Sequence, residues 1–161
     1  MKTKFLHLIV LDESGSMSHL TNQTIAGCNE TINCIKEAQK GHEEEQEHHV
    51  SIYAFQSEGG VPSRYLVKHQ PIAEVKEVTR EDYTPCGMTP LYDAIGTTLT
   101  DLKAQAAGEE RVVGAVTIIT DGMENASKEF RHRDVKALIE VLKEKGWSIN
   151  FIGANIDVEA V

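Results

Sequence analysis

The chain has 161 residues, 40% of them hydrophobic and 25% charged, which fits one soluble globular domain and excludes a disordered or fibrous chain. Its 16 Lys and Arg against 25 Asp and Glu leave a formal charge of −9, so nucleic acid is not an expected partner. No stretch approaches the roughly 20 apolar residues of a membrane span, so no membrane is expected either.

Phe5 to Leu11 is a nearly continuous apolar run that stops at Asp12-Glu13, as a strand buried on both faces would. Lys2 and Lys4 before it mimic a signal peptide. The run is short, contains His7 and lacks a small-residue cleavage site, so it reads as a strand. Ile25, Cys28, Ile32 and Ile35 then fall on one face of a helix, with Gly41 as its C-terminal cap. Val50 to Phe55 alternates as a strand, and Ser63 to His69 is a weaker one. The connection from Gln56 to Pro62 is too short for a parallel crossover, so these two strands are expected to pair antiparallel.

Thr89-Pro90 predicts the next helix start, with Thr89 as N-cap and Pro90 in the first helical position. Leu91, Ile95, Leu99, Leu102 and Ala106 form its apolar face, and Gly108 ends it. Val112 to Thr120 is another buried strand that stops at an acid, Asp121. Val135, Leu138, Ile139 and Leu142 mark a third helix closed by Gly146, and Trp147 to Ile152 is the last strand. The order β-α-β-β-α-β-α-β predicts an α/β, doubly wound, Rossmann-like sheet. It is mostly parallel with one antiparallel edge strand, and helices cover both faces. Ligands of such sheets sit beyond the carboxyl ends of the strands where strand order reverses. The loops after Leu11 and Thr120 are therefore the candidates.

Those loops carry Asp12-Glu-Ser14-Gly-Ser16 and Asp121-Gly122, with Thr89 between them in the chain. An Asp and two hydroxyls at alternate positions of a turn can present three oxygens in one direction, and Gly15 permits the bend. Oxygen donors with few formal charges suit a hard divalent cation, Mg²⁺ or else Mn²⁺ or Ca²⁺, and Asp12 and Asp121 would be its two carboxylates.

Asp12-x-Ser14-x-Ser16, then Thr89, then Asp121, each after the appropriate element, closely resembles the metal-ion-dependent adhesion site of von Willebrand factor type A domains. The resemblance covers essentially the whole chain, so residues 1–161 are read as a single domain. It implies a central first strand flanked by the strands starting at Val50 and Val112. It also implies that Ser14, Ser16 and Thr89 coordinate the metal, and that Asp12 and Asp121 act directly or through water. A carboxylate of a protein partner then completes the shell, which makes the site an interaction site and not a catalyst. Domains of this family usually continue with a further helix, often followed by another strand and helix. Asn155 to Val161 resembles the first turn of that helix, so the expectation is a domain truncated at its C-terminal end.

Other polar residues are read more plainly. Gly41 to His49 is expected to be a solvated acidic loop, because adjacent His48 and His49 seldom converge on one ion. Glu13 and Glu124 flank the site, either setting a negative field or facing solvent. Asp93 suits the first turn of its helix and stands behind the ligands. His7 is expected to be a hydrogen-bonded core residue, and Cys86 to be inert. Cys28 and Cys34, six residues apart on one helix, are too distant to bridge; three free thiols and no signal peptide point to the cytoplasm.

The competing class is a phosphoryl-transfer or phosphatase-like enzyme with Asp12 as nucleophile. Haloacid-dehalogenase-like phosphatases require a second Asp two residues on, where this chain has Ser14. Neither serine lies in Gly-x-Ser-x-Gly, and no Gly-Lys-Ser/Thr loop is present to cradle phosphate. The expected function is therefore a divalent-metal-dependent protein-interaction module. Its partner would offer an acidic side chain, within an ATPase-associated assembly.

Overall fold

The computed structural model describes residues 2–56, 63–85, 89–120 and 130–152, apart from the side chains of Ser16 and Ser18. Five strands form one sheet: β1 (Thr3–Asp12), β2 (Gln46–Phe55), β3 (Arg64–Pro71), β4 (Val112–Ile119) and β5 (Ser148–Ile152). Three helices accompany them: α1 (Thr21–Gln39), α2 (Leu91–Ala106) and α3 (His132–Glu144). The strand order is β3-β2-β1-β4-β5. β1 pairs in parallel with β2 and β4, β4 pairs in parallel with β5, and β3 is antiparallel to β2. The predicted class, central first strand and antiparallel edge are all present.

Side-chain alternation along β1 builds two cores. Leu6, Leu8 and Val10 join Leu91, Ile95 and Leu99 of α2 and Val135, Ile139 and Leu142 of α3 on one face. Ile9 and Leu11 join Cys28, Ile32 and Ile35 of α1 on the other. A strand buried on both sides needs apolar residues in both registers, which is why β1 reads as a run rather than an alternation. Each helix ends alike, with a glycine just past the last turn: Gly41, Gly108 and Gly146 have φ of 82–84°. A side chain is disfavoured there, and glycine lets the chain turn off the helix.

Most strand ends shift by one or two residues from expectation, and two further boundaries differ in a way that matters. β2 begins at Gln46, so His48 and His49 belong to the strand and not to an acidic loop. His48 is buried, its N–H donating to Gln39 Oε1 at 3.0 Å and its Nδ1 lying 2.9 Å from His7 Nε2. Polar composition concealed a strand in which His48 is bonded by His7 of β1 and by Gln46. The second difference is at α2, where Pro90 and not Thr89 is the N-cap, and the helix starts at Leu91. Pro90 has ψ of 64°, outside the helical region, and its carbonyl accepts the first helical bond from Ala94 at 3.1 Å.

The chain moves outward from β1 to β2 and β3 on one side, and occupies β4 and β5 on the other. Strand order therefore reverses between β1 and β4. Loops leaving their carboxyl ends diverge and open a crevice between them.

Candidate metal centre

Asp12 is the last residue of β1 and is fully buried, at 0% exposure. Its Oδ1 accepts the Ser14 N–H at 2.8 Å, the bond of a tight turn that folds the next residues back over the strand end. Its Oδ2 accepts the hydroxyl of Thr120, the residue that follows β4. Its main-chain carbonyl accepts the Tyr83 hydroxyl. Asp12 thus bridges the ends of β1 and β4 across the reversal point.

Ser14 is 1% exposed and occupies the N-cap of a 3-10 turn, Gly15–Leu20, that leads into α1. Its hydroxyl makes no cap bond, although its carbonyl accepts the Met17 N–H at 3.0 Å. Thr89 is 4% exposed. Its carbonyl accepts the Leu91 N–H at 2.9 Å, and Leu91 is buried in one cluster with Val10 and Phe55. The backbone of Ser16 lies in the 3-10 turn. Asp121, Gly122, Glu124 and Cys86 lie outside the described residues, as does the stretch from Asn155 to Val161.

Glu13 does not face solvent. It is 0% exposed, and its carboxylate is held by Arg64 through two contacts of 2.7 and 3.1 Å, by Gln56 Nε2 at 2.8 Å and by the Thr84 N–H. A buried carboxylate is tolerable only when paired and hydrogen-bonded in this way. Asp93 accepts the Phe130 N–H at 2.8 Å, tying α2 to the segment just before α3. His7 is hydrogen-bonded as expected, but it is half-buried and belongs to neither core.

Sequence reasoning missed Thr120, Tyr83, Gln56 and Arg64. Only Thr120 carried a signal, as a hydroxyl at the end of a buried strand beside Asp121. Among the described residues, no three His, Cys, Asp or Glu side chains converge on a common point. The candidate ligands described here, Asp12, Ser14 and Thr89, all carry oxygen donors, the chemistry that suits a hard divalent ion and not a soft one.

A doubly wound sheet with a buried Asp-x-Ser turn at its reversal point defines an α/β domain built to bind at the carboxyl ends of its strands. A family model for the von Willebrand factor type A domain matches residues 8–160. The chain belongs to that family of protein-interaction modules. No curated protein matches it at a comparable level of significance.

Solved structures show the same fold. Manganese-loaded TRAP protein of Plasmodium vivax is 18% identical with a TM-score of 0.58, over 94% of this chain and 57% of that one. The pilus adhesin SpaC of Lactobacillus rhamnosus GG is 15% identical with a TM-score of 0.64, over 95% and 24%. Proximal thread matrix protein 1 of the mussel byssus, with its MIDAS motif occupied by zinc, is 19% identical with a TM-score of 0.54, over 94% and 36%. The chain thus spans between 24 and 57% of the length of these three proteins. Among the described residues no helix is long and apolar enough to cross a membrane.

Proposed function

We propose that this domain holds one divalent cation at the carboxyl end of its sheet, through Asp12, Ser14, Ser16, Thr89 and Asp121, and uses it to bind a carboxylate of a protein partner. The observation that carries the reading is the buried turn in which Asp12 receives the Ser14 N–H and the Thr120 hydroxyl. Those bonds hold the carboxylate at the strand-order reversal, which supports the reading. Manganese and zinc in the related structures support a divalent ion. Mg²⁺ is the proposed physiological ion, because it takes one or two carboxylates, keeps several waters and leaves room for a partner oxygen. The cytoplasmic location and the ATPase-associated assembly belong to the same proposal.

Both carboxylate oxygens of Asp12 accept hydrogen bonds and the residue is fully buried, a poor arrangement for a nucleophile that must reach a phosphorus atom. The interaction reading therefore stands above the phosphatase-like one. Calorimetry with Mg²⁺ and Mn²⁺ on wild type and Asp12→Ala is the test. Loss of divalent binding in the variant is expected, and equal binding by the two proteins would overturn the assignment. Phosphate release from generic esters, lost in Asp12→Asn at unchanged stability, would restore the enzyme reading.

A further inference from the structure

Glu13 sits between two residues of the proposed metal turn, and its buried carboxylate accepts four hydrogen bonds. Arg64 Nη1 lies 2.7 Å from its Oε1 and Arg64 Nη2 lies 3.1 Å from its Oε2. Gln56 Nε2 adds a bond of 2.8 Å to Oε1, and the Thr84 N–H one of 2.7 Å to Oε2. Each oxygen therefore accepts two donors. These come from the end of β2, the start of β3 and the segment that precedes α2.

The donors are themselves held. Gln56 Nε2 also donates to the Thr84 carbonyl at 3.1 Å, and Arg64 Nη2 to the Asp82 carbonyl at 2.9 Å. The Gln56 N–H donates to Ser63 Oγ, whose hydroxyl returns a bond to the Gln56 carbonyl, both at 3.0 Å. Strand register places Arg64 correctly, since Leu11 pairs with Ala54 and Ala54 with Arg64. The guanidinium fork matches the carboxylate in two-point geometry that a lysine does not reproduce.

Resting on the metal-binding reading, we propose that Arg64 and Glu13 form a clamp that positions the cation ligands without touching the cation. Asp12 is drawn toward β4 by Thr120, while Glu13 is drawn toward β2 and β3. The turn at Ser14 is held between the two anchors, and the Thr84 bond ties the segment before α2 to Glu13. The antiparallel edge strand thereby controls the shape of the site at the sheet's reversal point. A partner or modification that shifted β3 would change metal affinity from a distance.

The test compares wild type, Arg64→Met, Arg64→Lys and Glu13→Gln in two measurements. Backbone hydrogen exchange without added metal should accelerate at least tenfold at Glu13, Ser14 and Thr84 in Arg64→Met. Amides of α2 and of β4 distant from the clamp should keep their wild-type rates. Mn²⁺ titration should show affinity falling tenfold or more in Arg64→Met, with partial recovery in Arg64→Lys and an intermediate loss in Glu13→Gln. If Arg64→Met does not fold, Arg64→Lys and Glu13→Gln carry both measurements.

Unchanged exchange at those three amides overturns the clamp, as does acceleration spread evenly over the sheet, which would make Arg64 a general stability residue. Equal Mn²⁺ affinity in wild type and the Arg64 variants also overturns it. If wild type takes up no Mn²⁺, the metal reading fails while the exchange measurement still decides whether the clamp orders the turn.

Discussion

His7 lies on the central strand with its Nε2 2.9 Å from Nδ1 of His48, and the Phe5 ring stacks on His48 with centroids 4.6 Å apart. Burial, and then the neighbouring His48, hold the His7 pKa down to about 4. His48 is lowered too, by burial and then by His49. A neutral imidazole in the fold faces an unfolded chain that binds a proton below about 6.5, so the unfolded state binds more protons between those values. Stability from this site is complete above pH 6.5 and is lost as pH falls toward 4. The loss is at most about 3 kcal/mol, and less because the ring keeps some exposure. Urea denaturation at pH 7 and pH 5 should show His7→Gln with a smaller loss than wild type; equal losses would remove His7 as the cause.

The two cysteines of α1 make a second contrast at this scale. Burial pushes the Cys28 thiol up to about 12, whereas Cys34 is exposed on the same helix. In a Cys86→Ser background, a thiol reagent at pH 8 should label Cys34 quickly and Cys28 only after unfolding. Comparable labelling of both in the native protein would contradict the packing of α1. Residues also show where sequence reading stops. Asp12, Ser14 and Thr89 could be put forward from the sequence because their spacing after a strand or before a helix is local. Arg64 and Tyr83 could not, since they reach the turn from 51 and 71 residues away. Nothing within the string Asp12-Glu13-Ser14 distinguishes a solvated Glu from a clamped one.

At the scale of elements, alternation and glycine punctuation made the order of strands and helices readable, and β1 was recognised because its apolar run leaves no polar face. The start of β2 was hidden because its first residues, Gln46-Glu-His-His49, are polar by composition. There the strand is stabilised by side-chain bonds such as His48 Nε2 to Gln46 Oε1 at 2.9 Å, which a hydrophobic pattern does not register. Two glycines inside elements mark close contacts between neighbouring elements. A Cβ on Gly96 of α2 would stand 2.3 Å from the Phe130 ring, and one on Gly114 of β4 would stand 2.3 Å from the Trp147 ring. An interior helical glycine replaced by alanine ordinarily gains about 1 kcal/mol of stability. Gly96→Ala should do the opposite, losing about 1–3 kcal/mol as Phe130 is forced from its seat. Gly114→Ala should lose a similar amount, with the shorter side chain of Trp147→Leu relieving part of it. Thermal denaturation of the single and paired variants decides the matter, and a stabilised Gly96→Ala would mean that Phe130 is not seated on α2.

For the whole molecule, the formal charge of −9 and the two-layered core pull in different directions at the site. The cores bring the ends of β1 and β4 together, and Asp12 is buried at that junction of an already acidic protein. Under the proposed function a divalent cation there would offset the carboxylate's charge locally, and it would supply the attraction by which an acidic partner docks against the long-range field. A ligand that binds the folded state alone stabilises it by mass action, by about 2.7 kcal/mol at a hundredfold excess over the dissociation constant. At roughly 2–4 °C per kcal/mol for a chain of this size, Mn²⁺ or Mg²⁺ near saturation should raise Tm by about 5–10 °C. Ser14→Ala is the sharper variant for this measurement, because the bond that shapes the turn runs from the Ser14 backbone to Asp12 and survives the substitution. Its Tm without metal should stay close to wild type while the metal-dependent rise shrinks by more than half. Raising the ionic strength with a monovalent salt should reproduce little of the rise, since screening acts on all the acidic residues and not on that junction alone. An equal rise in wild type and Ser14→Ala would place the cation elsewhere on the acidic surface, and an equal rise with monovalent salt would reduce the effect to general screening.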